Sequence, residues 1–190
     1  MKLSSQQRQI LNNLIIGGSV LLCLLLNPTR LPGMELLGIG PDWLLIWTVT
    51  WSLKRTALQG MLAGLALGMI QDGTISAPAS GPSHVLSLVL VGFLSAKLQK
   101  QRYIKEDFIS VALIVFVMTI IAESAIALQH ILHQIRKPAD IWTDYQRIAL
   151  SSAILSSLWA PVLYYPLNCW WEFYREKGTG SRGQVIGKRG

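Results

Sequence analysis

This chain is short of charge. Only 14% of its 190 residues are Asp, Glu, Lys or Arg, against about 25% in an ordinary soluble domain. The two cysteines, Cys23 and Cys169, make no disulfide framework. Both lie in apolar stretches, where a thiol acts as a small hydrophobe, so neither is assigned chemistry. There are three histidines. His130 and His133 stand three apart with Asp140 and Asp144 downstream, and His84 is far off in sequence. Nothing in that spacing sets a metal geometry, and a solvated loop is the plainer reading, so no metal is assigned. A phosphate-binding Gly-rich loop, a zincin helix and a nucleophile elbow are all missing, which leaves no catalytic residue and no cofactor to name.

What is there is apolar. Half of the residues (51%) are hydrophobic, while the net charge is +7. A basic chain invites a nucleic-acid reading, but these charges fall in short runs between long apolar stretches, with no aromatic-interleaved basic motif. One soluble core of this size cannot hide several such stretches, whereas about six spans of roughly twenty residues can use them as membrane helix. The expected fold is therefore an all-α membrane protein with transmembrane helices at about 10–26, 41–53, 56–72, 83–96, 108–129 and 148–173. The first follows Lys2 and Arg8 and ends at Asn27-Pro28 with no small-x-small cleavage site, so it reads as an uncleaved signal anchor. Residues 1–175 form the helical domain, and 176–190, rich in Gly, Lys and Arg, a flexible tail.

Six spans put both termini on one side. Thirteen basic residues (2, 8, 54, 55, 97, 100, 102, 105, 175, 177, 182, 188 and 189) fall on that side, and four (Arg30, Arg136, Lys137 and Arg147) on the other. The positive-inside rule makes the thirteen-residue side cytoplasmic. Juxtamembrane Lys and Arg are also attracted to anionic lipid, by about 1 kcal/mol each. The +7 charge thus records orientation and lipid contact, with no nucleic-acid partner.

Within the spans a few residues stand out. Pro41 and Asp42 are a helix-start signal, the carboxylate capping exposed amides. The helix they open has about twelve residues, or about 18 Å, short for a 30 Å hydrocarbon core. It carries Trp43, Trp47 and Trp51 at four-residue spacing, a stripe that faces lipid, a neighbouring helix or a partner. The next helix carries Gly60, Gly64 and Gly68 at the same spacing, which lets backbones approach closely. Internal packing is the first reading of that seam, a docking face the second. Asp72 continues the stripe and reads as a solvated or paired helix-end carboxylate. Glu123 lies among apolar residues and is expected to point into the bundle, as a structural polar contact or a substrate site.

The order of these features resembles the rod shape-determining protein MreD family. The resemblance lies in a basic N-terminus with a first helix, a loop ending in Pro41-Asp42 before a Leu- and Trp-rich helix, the Lys54-Arg55 turn, and Gly60, Gly64, Gly68 and Asp72 at four-residue steps. It extends over about 10–174, with its sharp part at 41–72. Gly81 fits the family pattern, but Pro82-Ser83-His84 stands where a Gly-Leu-Asn-like run is usual, so no functional residue is carried past Gly81. The resemblance implies a six-helix, multi-pass subunit of the bacterial inner membrane, part of the machinery that builds cell wall during elongation. Its implied partners are a periplasmic MreC-like protein, a RodA-like glycosyltransferase, a class B penicillin-binding protein and an MreB-like filament. It also implies no catalytic activity, and a fold similar to the S components of energy-coupling-factor transporters.

Two main readings follow. A scaffold needs few intramembrane charges and no polar constellation converging from several helices. A vitamin-binding S component needs such a constellation, for which only Glu123, Asp72, His84 and Trp142 offer themselves; its usual Ala-x-x-x-Ala docking pair is also missing from the first helix. An intramembrane enzyme is weaker still, for want of paired carboxylates. The scaffold is the expected function.

Overall fold

In the computed structural model, which describes residues 5–27, 35–36, 38–74, 83–100, 108–132 and 138–186, the chain forms six α-helices. They are α1 Ser5–Leu26, α2 Trp43–Ser52, α3 Ala57–Thr74, α4 His84–Lys100, α5 Phe108–Leu132 and α6 Pro138–Ile186. No strand occurs among the described residues. Three helices are long and apolar enough to cross a membrane, over Gln9–Leu26, Phe108–Leu132 and Tyr145–Trp171.

The architecture is organised around its shortest helix. α2 has ten residues, and all but Trp51 are buried. It touches every other helix, α1 and α3 through α6. A helix that is apolar all round is one buried all round, so the shortness that the sequence left puzzling has a simple reading. At about 15 Å, α2 lies in protein on every side and needs no full hydrocarbon thickness of its own. Its two threonines are satisfied within the helix: Thr48 and Thr50 donate their hydroxyls to the carbonyls of Leu44 at 2.7 Å and Trp47 at 3.0 Å.

α3 and α4 form the closest helix pair, and α5 packs along α6. α1 approaches α2 and no other described helix, and Cys23 is the one fully buried side chain among its described residues. Before α2 the chain makes a tight turn, Leu36 and Ile39 exchanging both backbone hydrogen bonds at 2.9 and 3.0 Å. Gly38 sits in it at φ +80°, a conformation in which a Cβ is strained.

Most expected boundaries lie within a few residues of those observed. The sixth does not: α6 begins at Pro138, well before 148, and its helical backbone continues past 173 to Ile186, into the segment read as a tail. Proline in the first turn gives up no hydrogen bond, so the polar stretch read as a loop opens the helix. Pro161 and Pro166 lie within it, and the helix runs on through both.

Candidate functional site

The glycines of α3 are where two backbones meet. A Cβ added at Gly60 would overlap the carbonyl of Gly92, one at Gly64 the carbonyl of Leu88, and one at Gly68 the Cα of Val85. Gly92 on α4 is the reciprocal case, its absent Cβ facing the carbonyl of Gly60. The obstacles are main-chain atoms, which have no rotamer to yield. The seam is internal, and its fourth member, Gly92, passed unremarked in the sequence because it is isolated on its own helix. By contrast, Gly17 and Gly18 on α1 have open space around them.

At the end of the seam Asp72 closes the hairpin. Its carboxylate accepts from the Ser83 hydroxyl at 2.7 Å and from the His84 backbone N–H at 2.9 Å, and it lies 2.9 Å from His84 Nδ1. Ser83 in turn accepts from the Val85 N–H at 3.1 Å, the bond expected of a helix N-cap. From α5, Gln129 clamps the same residue. Its Oε1 accepts from the Ser83 N–H at 2.9 Å and its Nε2 donates to the Ser83 carbonyl at 3.1 Å. Three helices thus converge on the start of α4. This corrects the expectation that no polar constellation would converge: one does, and its members are spent on one another. Asp72 is the paired carboxylate of the two alternatives. Gln129, taken in the sequence as a helix end, is the member that sequence reasoning missed.

Asp42 caps α2 as its sequence position suggests. Its Oδ1 accepts from the Leu45 N–H at 3.0 Å, while its own N–H donates to Ser156 Oγ on α6 at 3.1 Å. Pro41, also buried, precedes the cap and is not the first helical residue.

The tryptophan stripe is placed differently from a lipid-facing or partner-facing one. Trp43 and Trp47 are buried within the chain's own fold. Trp43 packs against Trp159 of α6 with ring centroids 5.6 Å apart. Trp47 stacks on Trp51 at 5.7 Å, and its indole N–H donates to Ser19 Oγ of α1 at 2.8 Å. The stripe faces α1 and α6, because four-residue spacing marks a face but not what covers it.

Glu123 is half-buried on α5 and makes no hydrogen bond or ion pair within the described residues. Its neighbour Ser124 shares a hydrogen bond with Tyr145 of α6 at 2.7 Å. Among the described residues, the buried side-chain atoms Trp51 Nε1, Ser52 Oγ, Gln71 Oε1, Ser95 Oγ, His130 Nδ1 and Trp171 Nε1 also have no hydrogen-bond partner. Among the described residues no three His, Cys, Asp or Glu side chains gather as a metal site would need. Gly81 and His133 lie outside the described residues, as does the side chain of Trp142.

Against known families, the profile of the rod shape-determining protein MreD matches residues 7–171. The chain belongs to the MreD family. That family is one of shape-determining membrane proteins associated with the MreC and MreB system. No curated protein and no solved structure gives a significant match to this chain. The MreD motif residues fall where the fold is tightest: Asp42 caps the central helix, Gly60, Gly64 and Gly68 seal α3 to α4, and Asp72 locks the next helix start.

Proposed function

We propose that this MreD-family chain is a non-enzymatic scaffold of the cell-elongation complex, crossing the bacterial inner membrane six times with both termini in the cytoplasm. In this reading α1, α5 and α6 are the three long spans, and α2, α3 and α4 cross as a packed group, the short α2 shielded by its neighbours and the outer faces of α3 and α4 turned to lipid. The partners are an MreC-like periplasmic protein first, with a RodA-like glycosyltransferase, a class B penicillin-binding protein and an MreB-like filament as further members. The observation that carries the reading is the use to which polar groups are put. Asp42, Asp72, Ser83, His84 and Gln129 fix helix starts and helix pairs, and so serve shape over chemistry. Beside them lies a broad apolar exterior, with Leu14, Leu58, Ile109, Leu113 and Leu158 more than half exposed, a surface suited to lipid and to partner helices.

Depletion of the protein in its own bacterium tests this. Rod-shaped cells are expected to widen and round, with vitamin uptake unchanged. The S-component reading draws on the fold likeness that the resemblance implies and on the unpaired Glu123. It predicts the opposite pair of results, and a tightly bound vitamin in the purified protein would favour it.

A further inference from the structure

The seam fixes more than the distance between α3 and α4. Gly60 lies opposite Gly92, Gly64 opposite Leu88 and Gly68 opposite Val85, so the two helices run antiparallel with a defined register. At the end of the hairpin that holds the α2–α3 turn, the same antiparallel pairing puts the turn residue Arg55, two positions before α3, at the same end as Lys97 of α4. Each of these cations rests on an aromatic ring. The Arg55 guanidinium lies 5.2 Å from the centroid of Trp51, and the Lys97 ammonium 5.4 Å from that of Phe93. Cation–π contact holds a charge in place while leaving its other side open. Neither cation has a carboxylate partner among the described residues.

Beside each cation an exposed apolar stripe runs along a helix, the one that follows the turn of Arg55 and the one that carries Lys97. On α3 it is Leu58, Leu62 and Leu65, which are 68, 55 and 41% exposed, and on α4 it is Leu90 and Leu86, at 38 and 56%. The spacings are three, four and seven residues, so each stripe is a single line on the helix surface. A fixed cation at the end of an exposed leucine line is complementary to a lipid, with an anionic phosphate at the interface and an acyl chain below it. A free phosphate would account for the cations but not for the leucines.

We propose that this end of the α3–α4 hairpin is a binding surface for anionic phospholipid, with Arg55 and Lys97 contacting headgroup phosphates and the leucine lines contacting acyl chains. A zwitterionic lipid carries its own ammonium and gains less from the two cations. The inference rests on α3 and α4 being membrane-embedded and is independent of which proteins bind elsewhere.

Native mass spectrometry of the full chain in mild detergent tests it, with phosphatidylglycerol and phosphatidylcholine of matched chains as probes. The wild type is expected to retain phosphatidylglycerol preferentially. At about fivefold per basic residue, R55Q/K97Q should lower that retention about thirtyfold, with phosphatidylcholine unaffected. R147Q, an exposed site on α6, should behave as wild type. Equal retention by R55Q/K97Q and wild type overturns the site, as does an equal loss in R147Q. Complete displacement by millimolar inorganic phosphate also overturns it, in favour of a free-anion site. Should the double variant not fold, R55K/K97R must keep the preference and R55Q alone must lose about fivefold. Flotation of the same proteins with phosphatidylcholine vesicles reports embedding separately. A protein that floats but shows no headgroup preference removes the lipid site and leaves the membrane reading intact, and one that does not float removes both.

Discussion

Replacing Gly64 by alanine adds one methyl group in the middle of the α3–α4 seam, where the backbones leave no room for it. The new Cβ would stand 2.6 Å from the carbonyl carbon of Leu88 and 2.8 Å from the amide nitrogen of Val89, closer still to the Leu88 oxygen, where ordinary contact begins near 3.4 Å. Both helices would have to separate, and the displacement would spread to Gly60, Gly68 and the Asp72 clasp. Overpacking of this kind costs about 1 to 3 kcal/mol. Part of that is offset because alanine is the better helix former, by about 0.5 to 1 kcal/mol. The net expectation is a loss of up to about 2 kcal/mol, or roughly 4 to 8 °C in Tm for a chain of this size. Scanning fluorescence in detergent can follow the tryptophans. Gly17→Ala is the matched control: it lies in a helix with open space around it, so it gains the propensity term with no clash and should be neutral or slightly stabilising. If Gly64→Ala unfolds no earlier than wild type, or if Gly17→Ala loses as much, the seam does not hold the hairpin as argued.

Other consequences are as direct. Gln129→Leu should destabilise by about 2 to 4 kcal/mol, because the N–H and carbonyl of Ser83 each lose a partner; Gln129→Glu, which keeps the acceptor, should cost less in the same melt. Trp47→Phe removes the donor to Ser19 and should loosen α1 at a cost of about 1 kcal/mol, read as faster proteolysis near the N-terminus or weaker cross-linking of α1 to α2. Glu123→Gln should leave rod-shape complementation intact if the residue is structural, and rounded cells would show that its charge is used. Reporter fusions within residues 73–82 should report the outside of the cell, and cytoplasmic activity there would sink the topology.

How far the sequence reached differed between helices and faces. Helices announce themselves where apolar runs are cut by charge, proline or glycine, as at Lys54-Arg55 or Pro41-Asp42, and α2 through α5 lie near where those signals put them. α6 was harder, because its first turns are polar and polar residues beside an apolar run look like loop. The glycine seam was legible as a packing surface, since only backbone approach explains three glycines at one spacing. Its partner was not, because Gly92 alone carries no pattern. Likewise Trp43, Trp47 and Trp51 could be assigned to one face but not to its cover, which depends on where α1 and α6 come to lie. The Asp72 clasp joins residues 46 positions apart at Ser83 and Gln129. A contact at that separation follows from packing and leaves no local trace in the chain.

The account's central claim is that this fold serves other proteins by its shape, and affinity purification of the chain from its own membranes in mild detergent tests it most directly. An MreC-like coiled-coil protein recovered in near-stoichiometric amount, and lost when Gly64→Ala opens the hairpin, is the expected result. Recovery of an ATPase pair with a bound vitamin, and no elongation partner, would contradict the claim.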